Sequence, residues 1–366
     1  MKKFILSLFF VIFALFNVCG EDLLHPVIRD DIDEDVKKIE LALVDYVFYP
    51  EMVERGFDVH QLDNMKIGFE LWDYVESFFR PNDEKGLLPL DNHHVFRIID
   101  ENGKWITGSS YHKRVLFSNE YGTKDELLKK GYVENETMFY YPSNGEKDWR
   151  VGKWSWYDWY GEWNVKFATE CNFEGMKEIK DDHLYVLETK KSYVIRYNAR
   201  VDKYINENIT SIPKKDYLII DLLDGKGGSI NEALKFVETI KKSKVKKIIV
   251  LIDRTVSASE LIVKCLKTDE RVTLIGENTN GTVRGADPKQ VIKIQDKIFL
   301  KVGTFLYEKD STFLEGVGYI PDIWAQNTLD IMKNLWRITE DYELKIKFSP
   351  TQIIDHDNYQ KYKNGL

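Results

Sequence analysis

The sequence predicts an α/β protein with an N-terminal helical segment and an aromatic β-rich insertion, and three observations carry that expectation. From about Leu184 onward, near-continuous apolar stretches alternate with amphipathic ones, the pattern of buried parallel strands joined by helices. From Val95 to about Phe173, short aromatic and β-branched stretches alternate with Gly, Asn and Asp turns, as in antiparallel strands. Ahead of both, apolar residues recur at steps of three and four, the spacing of one helix face.

The chain has 366 residues, enough for roughly two or three domains. Hydrophobic residues are 43%, charged residues 31% and aromatic residues 13%, which excludes a disordered chain, collagen and a multi-span membrane protein. Fifty-two Lys and Arg stand against 60 Asp and Glu, for a net charge of −8. That balance argues against a nucleic-acid partner, because phosphate binding needs a basic face. Three cysteines are too few for a disulfide scaffold.

Lys2 and Lys3 precede an apolar run from Phe4 to Val18, closed by Cys19-Gly20. A short basic start, a run below the ~20 residues of a membrane span and a small-residue exit match a secretory signal. Residues 1–20 are therefore expected to be a removable leader, which implies export to a periplasmic, cell-envelope or extracellular location. Two alternatives would tether the protein to a membrane: an uncleaved leader, or lipidation of Cys19. Behind it, Val36, Ile39, Leu43 and Val47 follow the acidic turn Asp33-Glu34-Asp35, and a second helix is expected over 62–79. The expected organisation is thus 1–20 leader, 21–94 helical segment, 95–185 β-rich insertion, 186–345 α/β core and 346–366 tail. Trp149–Trp163 carries five of the nine tryptophans and reads as a sheet face or, less commonly, a substrate platform. Cys171 and Cys265 remain after the leader, either paired or as buried thiols.

Two turns of the core can carry chemistry. Ile219-Ile220-Asp221-Leu222 runs into Leu223-Asp224-Gly225-Lys226-Gly227-Gly228. Glycines after a buried strand let backbone amides approach a ligand, and the next helix adds its positive end. The same turn also serves as a plain strand-to-helix connection, and it lacks the Gly-Lys-Ser/Thr ending of a phosphate-cradling loop. Further on, Leu251-Ile252-Asp253-Arg254-Thr255-Val256-Ser257-Ala258-Ser259-Glu260 ends a strand, presents Ser257 and opens a helix. Amides there stabilise negative charge; a serine there is also a common helix cap.

Taken together with Ile275-Gly276-Glu277-Asn278-Thr279-Asn280-Gly281 and Gly316-Val317-Gly318-Tyr319-Ile320-Pro321-Asp322, these blocks resemble the C-terminal-processing (tail-specific) serine peptidase family over roughly residues 190–325. The resemblance implies a ClpP/crotonase-like core, Ser257 as nucleophile and the amides of Gly227 and Ala258 as the oxyanion hole. It implies polypeptide substrates, no cofactor and no metal. The Ser-Lys branch of the family carries its base where this chain has Thr282. The tricorn-like branch uses a histidine and a glutamate, and the matching residues here are His93, in Leu90-Asp91-Asn92-His93-His94-Val95-Phe96, and Glu315. A histidine with an ordinary pKa near 6.5 suits proton transfer with a serine, and a carboxylate would orient its ring. His93-His94 also reads as a surface pair. Residues 96–185 stand where many members carry a PDZ module, without its Gly-Leu-Gly-Phe-like turn. The sequence therefore predicts a Ser257–His93–Glu315 endopeptidase; the alternative is an inactive relative that binds a peptide or an apolar ligand.

Overall fold

A computed structural model of the chain describes residues 23–79, 90, 96–107, 113–134, 138–142, 147–156, 173–181, 183–199, 201–284, 286–287, 290–306, 314–326 and 328–342. They fall into two compact units. Of the described residues, the first holds 23–79, 90, 96–107, 286–287 and 290–306, and the second holds 113–134, 138–142, 147–156, 173–181, 183–199, 201–284, 314–326 and 328–342.

In the first unit, the helix Glu34–Val44 is capped by Asp33, whose side chain accepts from the amides of Asp35 and Val36. Its apolar face buries Val36, Ile39 and Leu43 against Met52, Phe57 and Leu71. The helix expected over 62–79 is shorter. A 3-10 turn, Val59–Leu62, comes first, and the α-helix spans Phe69–Ser77 from an N-cap at Gly68. Here a glycine ends the regular pattern, as its high backbone entropy favours. The same unit holds a sheet in which Arg97–Asp100 lies antiparallel between Ile298–Val302 and Trp105–Thr107.

The second unit is built on a seven-stranded sheet in the order Ile323–Trp324, Val272–Gly276, Lys247–Ile252, Tyr217–Asp221, Ser192–Arg196, Tyr185–Glu188, Lys177–Lys180. The first five are mutually parallel, and each of the last two pairs antiparallel with the strand before it. Alternate residues face opposite sides. Leu218, Ile220, Ile248 and Val250 pack with Phe236, Val237, Ile262 and Leu266 of the helices Ile230–Lys242 and Ala258–Lys267. Ile219, Ile249, Leu251 and Ile275 pack with Ile331, Leu335 and Trp336 of the helix Thr328–Thr339. Covering both faces explains why these strands read as unbroken apolar runs.

A three-stranded antiparallel sheet, Lys113–Gly122, Trp149–Trp156 and Met138–Pro142, also belongs to the second unit. Its Val115 and Phe117 share a small core with Val317 and Ile320, and the Val115 amide donates to the Gly316 carbonyl at 2.9 Å. Described strands within the segment 95–185 lie in three sheets. Arg97–Asp100 belongs to the first unit, Lys113–Gly122, Met138–Pro142 and Trp149–Trp156 form this sheet, and Lys177–Lys180 with Tyr185–Glu188 extends the central one. Alternating strand patterns specify which face is buried but name no partner, so pairings this distant are invisible along the chain.

Candidate active site

Three neighbouring parallel strands, Tyr217–Asp221, Lys247–Ile252 and Val272–Gly276, end in register, and the segments that follow meet at their carboxyl ends. In open α/β sheets that edge is where ligands bind. A ladder of hydrogen bonds ties the glycine turn to the serine turn. The Asp224 amide donates to Asp253 Oδ1 at 2.6 Å, and Thr255 Oγ1 donates to the Leu222 carbonyl at 2.9 Å. The Val256 amide donates to the Gly225 carbonyl at 2.9 Å, and Ser259 Oγ to the Lys226 carbonyl at 2.7 Å. Ser259 is therefore a brace for the glycine turn.

Ser257 sits at the N-cap of Ala258–Lys267 with φ 55° and ψ −122°. That is strained backbone for a residue with a Cβ, of the kind found where a strand turns sharply into a helix to lift a nucleophile. The turn presses it against Gly227. A Cβ placed on Gly227 would lie 2.8 Å from Ser257 Cβ and 3.0 Å from its Oγ. Glycine is required there by close approach, which is the condition for a backbone amide to serve a reacting atom beside the serine. The structure thus brings Ser257, Ala258 and Gly227 together.

Glu260, one turn into the helix, is buried. Its Oε2 accepts from the amides of Ser257 at 3.1 Å and Thr282 at 2.8 Å. Its Oε1 accepts from Thr279 Oγ1 at 2.6 Å and the Gly281 amide at 2.8 Å. Thr282 is buried, and its Oγ1 accepts from Asn280 Nδ2 at 2.7 Å. The next two amides go to the other carboxylate. Val283 and Arg284 donate to Glu315 Oε2 at 3.1 and 2.9 Å. Glu315 is buried, and its Oε1 has no hydrogen-bond donor among the described residues. Lys226 makes an ion pair with the buried Asp224 at 2.9 Å.

His93 and His94 lie outside the described residues, as do Cys19 and Cys171. Cys265 packs, partly buried, against the core. Among the described residues no group of three His, Cys, Asp or Glu is placed to hold a metal ion, and no helix is long and apolar enough to cross a membrane. The roles of Glu260 and Ser259 are ones the sequence reading missed. For Glu260 the signal was present: Ser-x-x-Glu at a helix start is the spacing of a capping box.

Residues 236–325 match the model of Peptidase family S41. The S41 match covers the serine turn, the 276–284 segment and Glu315, and it supports a serine-type peptidase. No curated protein matches the sequence. Among solved structures, a lipoprotein from Streptococcus agalactiae is 12% identical, with 82% of this chain and 93% of that chain covered and a TM-score of 0.37. A putative peptidase from Parabacteroides merdae is 15% identical, with 82% and 91% covered and a TM-score of 0.37. The photosystem II D1 C-terminal processing protease is 11% identical, with 80% and 91% covered and a TM-score of 0.36. Superpositions this loose carry no residue correspondence, and the S41 match stands on the sequence.

Burial gives the candidate site a distinctive pH signature. It pushes Glu260 up to about 7, Glu315 up to about 8 and Asp221 up to about 6. The folded protein therefore holds protons that the unfolded chain has already released above pH ~4. Stability is fully present below the unfolded values and is lost as pH rises through the folded ones. The surface carboxylates Asp216 and Asp269, lowered by bonds to Lys246 and Arg271, act with the opposite sign, but only in more acidic solution. The thermal midpoint should be highest near pH ~5 and fall toward pH ~8.5. A midpoint that rises across that range contradicts the assignment.

Proposed function

We propose that this chain is an exported serine endopeptidase of the Ser-His-Glu type, acting on polypeptides through Ser257, His93 and Glu315. The observation that carries the reading is the strained Ser257 turn at a helix N-terminus, packed on Gly227. Ser257 Oγ attacks the scissile carbonyl carbon while the His93 imidazole takes its proton. The Gly227 and Ala258 amides hold the oxyanion. His93 then returns the proton to the leaving amine, and a water activated by the same imidazole releases the acyl group. Glu315 suits the orienting role because the Val283 and Arg284 amides fix its Oε2 and leave Oε1 to accept from a ring N–H. The basic start and apolar run within residues 1–20 support the reading of a leader and export, and retention of that segment or Cys19 lipidation would anchor the enzyme at the envelope.

A fluorophosphonate probe tests the reading. The purified protein should be labelled on the peptide that contains Ser257. His93→Ala should slow labelling by about 10²-fold or more, while His94→Ala should not. Wild-type protein that stays unlabelled, or a His93→Ala variant that labels normally, would refute the triad.

A further inference from the structure

We propose that Glu260 is a positioning residue for the reaction of Ser257, joining the serine turn to the 279–282 turn so that the strained nucleophile backbone is held in its reactive conformation. The proposal rests on the Ser257 reading above and deepens it. An ionised carboxylate offers about four acceptor sites, and Glu260 uses all four: Thr279 Oγ1 and the amides of Gly281, Ser257 and Thr282. Only the bond to Ser257 belongs to a helix cap. The other three donors come from a separate segment, 19, 21 and 22 residues further along. A cap alone would need none of them.

Two consequences follow for the site. A backbone at φ 55° with a Cβ persists only when its surroundings over-determine it, and the Ser257 amide is pinned by Glu260 itself. In addition, Gly281 and Thr282 donate to Glu260, whereas Val283 and Arg284 donate to Glu315. Four successive amides are shared between two buried carboxylates, so the segment tied to the nucleophile also carries the seat of Glu315. Where the Ser-Lys branch has its base, this chain has Thr282, whose amide is part of the tether.

Protonating Glu260 turns one acceptor into a donor and leaves one of the four donors unmatched. Glu315 is the charged group whose field couples to it, and Arg284 stands beside Glu315. The hydrogen-bond partners of Glu260 are neutral. Burial pushes Glu260 up to about 7, so this change falls within an accessible pH range. Glutamine cannot replace it, because its NH2 end would face two donors.

The experiment measures the rate of fluorophosphonate labelling from pH ~5.5 to ~9 for wild type, Glu260→Gln and Thr279→Val, with thermal midpoints as the check on folding. Glu260→Gln should label roughly 10- to 100-fold more slowly at pH ~8. The wild-type-to-variant ratio should shrink toward acid pH, because protonated wild type resembles the amide. Thr279→Val removes one donor to Glu260 and the acceptor for the Tyr319 amide. It should show a smaller deficit with the same pH trend, and it carries the test if Glu260→Gln fails to fold. A labelled wild type with a Glu260→Gln rate within about twofold, or a ratio independent of pH, overturns the positioning role and leaves the Ser257 reading intact. A wild type that never labels removes both.

Discussion

Ser257→Ala is expected to abolish peptide hydrolysis and fluorophosphonate labelling while leaving the fold unchanged. The substitution removes one oxygen and keeps the Cβ, so the left-handed backbone at φ 55° is equally strained in both proteins and the thermal midpoint should move by no more than about 2 °C. Loss of a serine nucleophile removes roughly 10⁴-fold or more of turnover. Ser257→Gly sharpens the test, because glycine adopts this backbone at no steric cost. It should be as inactive as the alanine variant and more stable by about 0.5–1 kcal/mol. Undiminished turnover in Ser257→Ala would remove Ser257 from the mechanism. A glycine variant no more stable than wild type would mean that the turn stores no strain.

Gly227→Ala is the second large effect. Its methyl would sit 2.8 Å from Ser257 Cβ and 3.0 Å from Oγ, closer than carbon atoms tolerate without a shift. The ladder of bonds from Asp253, Thr255, Val256 and Ser259 anchors the turn on one side, so the shift falls on the serine or on the Gly227 amide. Either one spoils the geometry in which an oxyanion is stabilised, and loss of one such donor is worth about 10²–10³ in kcat. The variant should bind the probe poorly and label at least about 10²-fold more slowly, with a cooperative thermal transition retained. Labelling at the wild-type rate would exclude Gly227 from the oxyanion turn.

The central sheet was legible because its strands are covered on both faces. Leu218 to Ile220 and Ile248 to Ile252 have no solvent side, so their sequence is an apolar run that periodicity alone recognises. The helix Ala258–Lys267 was legible from its serine start and apolar face. The sheet that joins Arg97–Asp100 to Ile298–Val302 was not, because an alternating strand carries no mark of its partner some 200 residues away. Likewise, the motifs named Ser257, Gly227 and Glu315, and the Ser-x-x-Glu spacing marked Glu260 as a cap partner, but nothing local announced its three further donors at Thr279, Gly281 and Thr282.

Read alone, the sequence singled out the candidate residues: the serine at a helix start, the glycine turn after a buried strand, and, through the family resemblance, the glutamate before Gly316-Val317-Gly318-Tyr319-Ile320-Pro321-Asp322. The first two are local signals, set by backbone freedom and by the free amides at helix ends. The tertiary structure alone decided how they are held. Parallel strands ending in register brought three segments to one edge of the sheet, and two buried carboxylates divided the amides of residues 281–284 between them. Burial forces that arrangement, since carboxylates removed from water must find their donors wherever the fold supplies them.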